Sequence, residues 1–133
     1  MLLTKPFQYV LLLMLTLGFT ACTSGITGTA SYDEQGRYEM ETQNPVLGSR
    51  LAIDDIKTSR INDLLVANIQ FRSKWPFTQE IKYRVHWFNK EGIESFPERA
   101  SWTSLELTGN SERTIKVTAP ATDVTSLKVY VRN

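Results

Sequence analysis

Residues 80–88 have the sequence EIKYRVHWF, in which apolar and polar side chains alternate. Neighbouring side chains of a β-strand point to opposite faces, so this period of two predicts a strand with one buried face. Lys82, Arg84 and His86 belong to the predicted outward face, together with Phe88. The predicted inward residues are Ile81, Tyr83, Val85 and Trp87.

Six further segments between residues 51 and 131 repeat this alternation, and turn-forming residues separate them. Turns are predicted at residues 58–63, 89–92 and 109–110, and Gly92 can adopt the positive φ that its turn requires. The remaining inward residues are Leu51, Ile53, Leu65, Ala67, Ile69, Phe71, Leu105, Leu107, Ile115, Val117, Leu127, Val129 and Val131. About seven short strands without an amphipathic helix predict an all-β fold, a two-layer antiparallel β-sandwich over residues 49–133.

The N-terminal 22 residues have the pattern of a lipoprotein export signal. Lys5 precedes an apolar run at residues 10–19, which is about half of the roughly 20 residues that a transmembrane helix needs. Small residues then stand directly before Cys22, the only cysteine of the chain. We therefore predict a signal peptide at residues 1–21 and lipidation at Cys22. The alternative is an ordinary secretory cleavage site near Cys22.

A lipid on Cys22 predicts that the protein is anchored to a membrane, because two or more acyl chains hold a protein there stably. Thr23 follows the cysteine, and the absence of Asp at this position favours the periplasmic face of the outer membrane of a Gram-negative cell. Residues 22–48 are polar and lack a clear period, so we predict that they form a flexible linker. A short strand or docking segment around Tyr32, Tyr38 and Met40 is the alternative.

Charge and cysteine content exclude several classes of protein. Removal of residues 1–21 leaves 14 basic and 14 acidic residues. A neutral chain without a basic run argues against a nucleic-acid partner, which would require many phosphate contacts. A single cysteine excludes a disulfide within the chain as well as cysteine-based zinc sites.

No group of residues in the sequence indicates catalysis. His86 is the only histidine and lies at an outward strand position, Asp54 and Asp55 lack the spacing of a calcium loop, and residues 91–98 carry three glutamates typical of a solvated rim. We therefore predict a protein that is not an enzyme, with no catalytic residue, no metal and no cofactor.

Four aromatic residues near predicted loops are the strongest indication of function. They are Trp75, Phe77, Phe96 and Trp102. Large rings in loops are typical of contact sites, so we predict that these residues form an interaction surface. The alternative is that they cap the open end of the sandwich or let the chain cross between the sheets.

Residues 83–94, YRVHWFNKEGIE, followed by Trp102, Leu105, Leu107 and Ala119-Pro120, resemble the YcfL-type family of small bacterial lipoproteins of unknown function. Asn89 stands where that family more often has Asp, and both residues suit a turn. The resemblance covers roughly residues 51–132. It implies an immunoglobulin-like sandwich behind a lipoprotein signal. It also implies an envelope setting, since genes of this family often lie beside those of lipoprotein activators of cell-wall synthases. It implies no activity.

Two hypotheses for function follow from these observations. The first is a non-catalytic interaction module of the cell envelope, anchored by its lipid and binding an envelope protein. The second is a protein that binds or hydrolyses cell-wall sugars or peptides. A concave pocket with converging His86, Glu and Arg side chains would favour the second.

Overall fold

The computed structural model describes residues 25–31 and 38–133. This part of the chain contains nine strands, one short helix and one 3₁₀ turn at Pro97–Arg99. In chain order the elements are β1 (Ile26–Ser31), β2 (Tyr38–Thr42), α1 (Pro45–Arg50), β3 (Leu51–Ile61), β4 (Leu64–Ser73), β5 (Gln79–Asn89), β6 (Glu94–Ser95), β7 (Thr103–Leu107), β8 (Glu112–Thr118) and β9 (Val124–Arg132).

The strands form two antiparallel sheets that pack face to face. The larger sheet has the order β2-β1-β9-β5, and both β6 and β7 pair with the free side of β5. The smaller sheet has the order β3-β4-β8. The prediction of an all-β antiparallel sandwich is confirmed, with nine strands in place of about seven.

The core lies between the two sheets, on the faces that the alternation predicts. On β4, Leu65, Ala67, Ile69 and Phe71 are all fully buried. On β5 and β9, the buried residues are Ile81, Trp87, Val124, Leu127, Val129 and Val131. Tyr83, Val85, Ile115 and Val117 are partly buried against this core.

The structure corrects the predicted linker. Residues 26–31 form β1, which pairs with β9 along its whole length, and Ile26 and Ala30 are buried in the core. Residues 38–42 form β2, which pairs with β1. The folded domain therefore begins at or before residue 26 and not at residue 49. The predicted signal peptide and Cys22 lie outside the described residues.

The predicted turn between the first two sandwich strands is shorter than expected. The expected turn covers residues 58–63, but β3 continues to Ile61 and only Asn62 and Asp63 connect it to β4. Both residues have positive φ, 52° and 63°. Such a two-residue turn matches the twist of the flanking strands, and Asn and Asp tolerate this conformation best after glycine.

One helical turn, α1, occurs where the sequence predicts none. The side chain of Asn44 accepts hydrogen bonds from the backbone N–H groups of Val46 (3.1 Å) and Leu47 (3.2 Å), and Pro45 occupies the first helical position. These are the usual features of a helix start. Residues 25–31 and 38–133 contain no helix with the length and apolar composition that a membrane crossing requires.

The free side of β5 is only partly covered. Pairing with β7 ends at Tyr83, and pairing with β6 begins at Trp87. Residues 96–102 bridge this gap as a bulging connection that includes the 3₁₀ turn. Phe96 enters it with a φ of 50°, an unusual conformation for a bulky residue, and its side chain is 40% exposed. The strand predicted at residues 93–96 is thereby reduced to Glu94–Ser95.

Tyr38 connects the edge of the larger sheet to β3, and its ionisation gives a testable pH dependence. Its hydroxyl donates a hydrogen bond to the carbonyl of Ile53 (2.7 Å). Burial, with the negative charges of Asp55 and Asp54, raises the pKa of Tyr38 to about 12. The folded state therefore holds this proton more tightly than the unfolded state, whose tyrosine pKa is about 10.

We expect the Tyr38→Phe variant to lose about 1 kcal/mol of unfolding free energy at pH 7, because the hydrogen bond is absent. As the pH rises from about 10 towards 12, the wild type loses stability, since its folded state resists ionisation. The variant has no hydroxyl at position 38 and does not lose stability in this way. The unfolding free energies of the two proteins therefore converge as the pH rises. Urea unfolding at pH 7 and at pH 11 measures both effects. A constant difference between the two proteins would contradict the assignment.

Candidate functional site

The outward face of the larger sheet carries a stack of aromatic and arginine side chains. The guanidinium groups of Arg84 and Arg132 lie 4.6 Å and 4.1 Å from the centre of the Trp102 ring. Arg84 also approaches the ring of Tyr130, at 5.8 Å. Each such contact contributes about 0.5 to 2 kcal/mol, depending on how far water is excluded. We call these four residues the arginine–tryptophan face.

The strand register explains why these residues meet. Arg84 of β5 is directly opposite Tyr130 of β9, and Arg132 is opposite Lys82. Cross-strand partners share a face, so all four side chains point away from the core. Trp102 directly precedes β7, whose first residue pairs with Tyr83 of β5. The indole of Trp102, at the end of the bulging connection, therefore lies over the outward side of β5.

This face is positively charged at its centre. Lys82, Arg84, Lys128 and Arg132 occupy outward positions on two adjacent strands. Among the described residues, no carboxylate forms an ion pair with any of these four. Glu80 and Glu106 face each other at the β5–β7 edge and bound the basic band. The centre can therefore accept an anionic group without first breaking an ion pair with a described carboxylate.

His86 lies beside the arginine–tryptophan face and is held by two neighbours. Its Nδ1 donates a hydrogen bond to the carboxylate of Glu94 on β6, and its ring meets Tyr130 edge-on at 5.1 Å. Its Nε2 is buried without a hydrogen-bond partner among the described residues. The outward position predicted for His86 is confirmed. In this conformation the Nε2 atom is not exposed to solvent.

A cavity opens where β5 is uncovered. It has a volume of about 200 Å³, and its lining includes Trp87, His86, Glu94, Phe96 and Arg99. Arg99 also stacks on the Phe96 ring at 4.5 Å. The volume is below the roughly 300 to 1,000 Å³ typical of sites for drug-sized ligands. A single sugar ring or a short peptide terminus is the size of ligand that it could hold.

The second pair of predicted aromatic residues lies at one end of the sandwich. Trp75 and Phe77 meet edge-on at 5.5 Å, and Arg50 of α1 stacks on Trp75 at 4.2 Å. The backbone N–H of Lys74 donates to the carbonyl of Arg50 (2.8 Å), which joins this loop to α1. Phe77 is 65% exposed. The pair does not close the core, because the ring of Phe77 faces solvent.

The four predicted aromatic residues therefore form two separate surfaces. Trp75 and Phe77 precede β5, whereas Trp102 stacks beside Arg84, about 20 Å further along that strand. Phe96 lies in the bulging connection with Trp102. Arg132 and Tyr130 were not among the predicted site residues. Their outward positions in the alternation of β9 could have identified them only once the β5–β9 pairing was known.

Within residues 25–31 and 38–133, no group of three or more His, Cys, Asp or Glu side chains is arranged to hold a metal ion. Asp54 accepts two hydrogen bonds from the Arg72 guanidinium, at 3.0 Å and 2.9 Å, and Asp55 lies 3.7 Å from Lys57. Both aspartates are thus engaged with basic residues of the smaller sheet. Cys22 lies outside the described residues.

The solved structures that are similar to this one include the following two. A DUF1425 family member from Shewanella sp. pv-4 has a TM-score of 0.59 and 21% identity, and the match covers 77% of this chain and 86% of that one. Campylobacter jejuni cj0090 has a TM-score of 0.53 and 17% identity, covering 59% of this chain and 82% of the other. At these identities the likeness shows the fold alone. No curated protein matches the chain.

A family described as "Protein of unknown function (DUF1425)" matches residues 38–133, which is most of the chain and all of the sandwich from β2 onward. The matched range includes both aromatic surfaces, the cavity and the basic band. It leaves out β1, although β1 pairs with β9 throughout. The chain belongs to the DUF1425 family.

Proposed function

We propose that this protein is a non-catalytic interaction module of the cell envelope, anchored by a lipid on Cys22 to the periplasmic face of the outer membrane. The arginine–tryptophan face is the observation that carries the proposal. Trp, Tyr and Arg are the residue types that dominate binding energy at protein interfaces. Here they are already ordered against one another, so little side-chain freedom is lost on binding.

The charge of this face defines the partner. The basic band of Lys82, Arg84, Lys128 and Arg132 favours an envelope protein that presents Asp or Glu side chains beside an apolar contact for Trp102. Charge complementarity of this kind raises the rate of association and selects against basic partners. The shielded Nε2 of His86 supports a binding role over a catalytic one.

Photo-crosslinking tests the proposal at residue level. A photoreactive amino acid is placed at Ser104, which pairs with Lys82 on the outward face, or at Thr114 of β8 on the smaller sheet as the matched control. In intact cells we expect the first position to capture one envelope protein and the second not to capture it. Equal capture at both positions would contradict the proposal.

Substitution of the stack then measures its contribution. We expect Trp102→Ala to lower affinity for the captured partner by about 2 kcal/mol, a factor of about 30, because a central aromatic residue is truncated. Phe77→Ser, at the other surface, serves as the control and is expected to leave affinity unchanged. Binding is measured with purified proteins. An unchanged affinity for Trp102→Ala would remove this face from the proposal.

A second candidate function is the binding of a cell-wall sugar or peptide in the cavity beside His86. The observation that favours it is the meeting of His86, Glu94 and Arg99 around one concave space. Calorimetric titration with peptidoglycan fragments tests this candidate. Binding that Arg99→Gln abolishes and Trp102→Ala preserves would place the ligand in the cavity.

A further inference from the structure

One end of the sandwich is directly connected to the segment that contains Cys22. The carbonyl of Gly25 accepts hydrogen bonds from the backbone N–H groups of Gln43 (3.0 Å) and Asn44 (3.2 Å), at the start of α1. Lys74 Nζ donates to the carbonyl of Gly48 in the same helix (2.5 Å). We call the surface formed by residues 43–50, 74–79 and 108–111 the proximal end.

The distance from Cys22 to this end is limited by the chain itself. Gly25 is three residues after Cys22, and three residues extend to at most about 11 Å. A flexible linker up to residue 48 would have allowed a mean separation of about 30 Å. Because β1 begins at Ile26, an acyl group on Cys22 brings the proximal end to the lipid head groups.

The charges at the two ends of the sandwich differ. The segments of the proximal end contain Arg50 and Lys74 and no Asp or Glu, and Glu80 and Glu112 directly follow two of them. At the opposite end, residues 61–64, 89–93 and 119–124 contain Asp63, Glu91, Asp123 and Lys90. The guanidinium of Arg60 also lies at that end, where it donates to the carbonyls of Asp63, Thr122 and Val124. The surface of a membrane with anionic lipids attracts basic residues, with roughly 1 kcal/mol per Lys or Arg near it.

Exposed apolar side chains accompany this positive charge. Phe77 is 65% exposed and Val46 is 56% exposed, and Pro45 and Pro76 beside them are also exposed. Aromatic residues next to basic residues are typical of protein surfaces that lie at the lipid–water interface. Exposure alone does not single out this end, since Ile93 at the opposite end is 63% exposed. The proximal end is distinguished by the closeness of Gly25 to Cys22 and by its positive charge.

We propose that the proximal end contacts the bilayer surface, with Phe77 and Val46 in the interface and Arg50 and Lys74 facing anionic head groups. The proposal rests on the proposed lipid anchor at Cys22. It gives the Trp75–Phe77 pair a lipid contact in place of a protein contact. It also leaves the arginine–tryptophan face, on the side of the sandwich, accessible to a partner.

The test uses the full chain, produced in a Gram-negative bacterium and reconstituted into vesicles of phosphatidylethanolamine and phosphatidylglycerol. An environment-sensitive dye is attached to Thr78→Cys, next to Phe77, or to Glu91→Cys at the opposite end as the matched control. Both positions are exposed. We expect dye emission to shift to shorter wavelength on reconstitution at position 78 and to stay unchanged at position 91.

Two further variants connect this shift to side chains. In the Thr78→Cys protein, we expect Phe77→Ser to remove most of the shift, and Ile93→Ser, an equally exposed apolar residue at the opposite end, to leave it intact. We expect the double variant Arg50→Gln, Lys74→Gln to reduce the shift in vesicles that contain phosphatidylglycerol and to have little effect in vesicles of phosphatidylcholine alone.

The mass of the mature chain, measured on the same samples, separates failure of this proposal from failure of the anchor. Lipid on Cys22 with no shift at position 78 would overturn the bilayer contact and leave the anchor in place. An unmodified Cys22 with a shift at position 78, repeated in Cys22→Ser, would support the contact and overturn the anchor. A shift that occurs only after addition of envelope proteins would overturn the contact and indicate a protein at this end.

Discussion

Replacement of Trp87 by alanine is expected to lower the free energy of unfolding by about 3 to 5 kcal/mol. Trp87 is the largest side chain on the inner face of β5 and is only 9% exposed. It lies opposite Leu127 in β9 and Ser95 in β6, so its ring fills the core where those three strands meet. Alanine would enlarge the neighbouring cavity and remove the packing of the indole in the core.

Thermal and urea unfolding measure this loss, which corresponds to a fall in melting temperature of roughly 15 °C or more. The matched control is Phe88→Ala, because Phe88 is the next residue of β5 and points to the outward face. We expect a much smaller loss for that variant. A Trp87→Ala protein that melts within a degree or two of the wild type would show that the inner face of β5 is misplaced.

The second large effect is expected at Ile26, in a segment that composition alone assigns to a linker. Ile26→Asp should lower the free energy of unfolding by about 3 to 5 kcal/mol, because it removes a buried aliphatic side chain and places a charge in the core. Ile26 is 1% exposed and pairs with Val131 of β9 and Thr42 of β2. Loss of its packing weakens the attachment of both strands.

Thr27→Asp is the control for this experiment, since Thr27 is on the same strand and its side chain points outward opposite Tyr130. Urea unfolding of the two variants should differ by several kcal/mol if β1 is part of the domain. In a flexible linker the two substitutions would have equal and negligible effects. Equal stabilities would therefore restore the boundary at residue 49.

The alternation of apolar and polar residues predicts most of the sandwich correctly. It identifies the buried faces of β4, β5, β7 and β9, because each has apolar residues, most of them large, at every second position. Gly92 has the positive φ expected of its turn, 78°. The side chain of Asn89 accepts hydrogen bonds from the backbone N–H groups of Glu91 (3.1 Å) and Ile93 (2.9 Å), which fixes that turn.

The sequence does not reveal β1 in the same way, for a reason that the packing makes clear. Its inward residues are Ile26, Gly28 and Ala30, and two of them are small. A Cβ atom on Gly28 would lie 3.0 Å from Ile56 Cδ1 and 3.2 Å from Ile53 Cδ1. Side chains from the facing sheet thus fill the space above Gly28. The large apolar side chains that cover β1 therefore belong to β3. For this reason residues 26–31 do not themselves show the alternation of large apolar and polar residues that predicts a strand.

The candidate surfaces were predictable in part. Their aromatic residues stand out in the sequence, but the separation into two surfaces depends on how residues 96–102 cross the gap beside β5. The contact of Trp102 with Arg132 joins residues at the start of β7 and the end of β9. No local pattern specifies that pairing. The closeness of His86 and Glu94 follows more directly from the sequence, since the predicted turn at residues 89–92 brings β6 back against β5.

The two ends of the folded domain lie side by side, because Ile26 at the start of β1 pairs with Val131 near the end of β9. The closeness of these two ends determines where a label attached to either of them would lie in cells. A fluorescent reporter fused after Asn133 would emerge beside Gly25, at the end for which we propose the bilayer contact. An insertion between Lys90 and Glu91, in the exposed turn at the far end of β5, would place the same reporter at the opposite end of the sandwich.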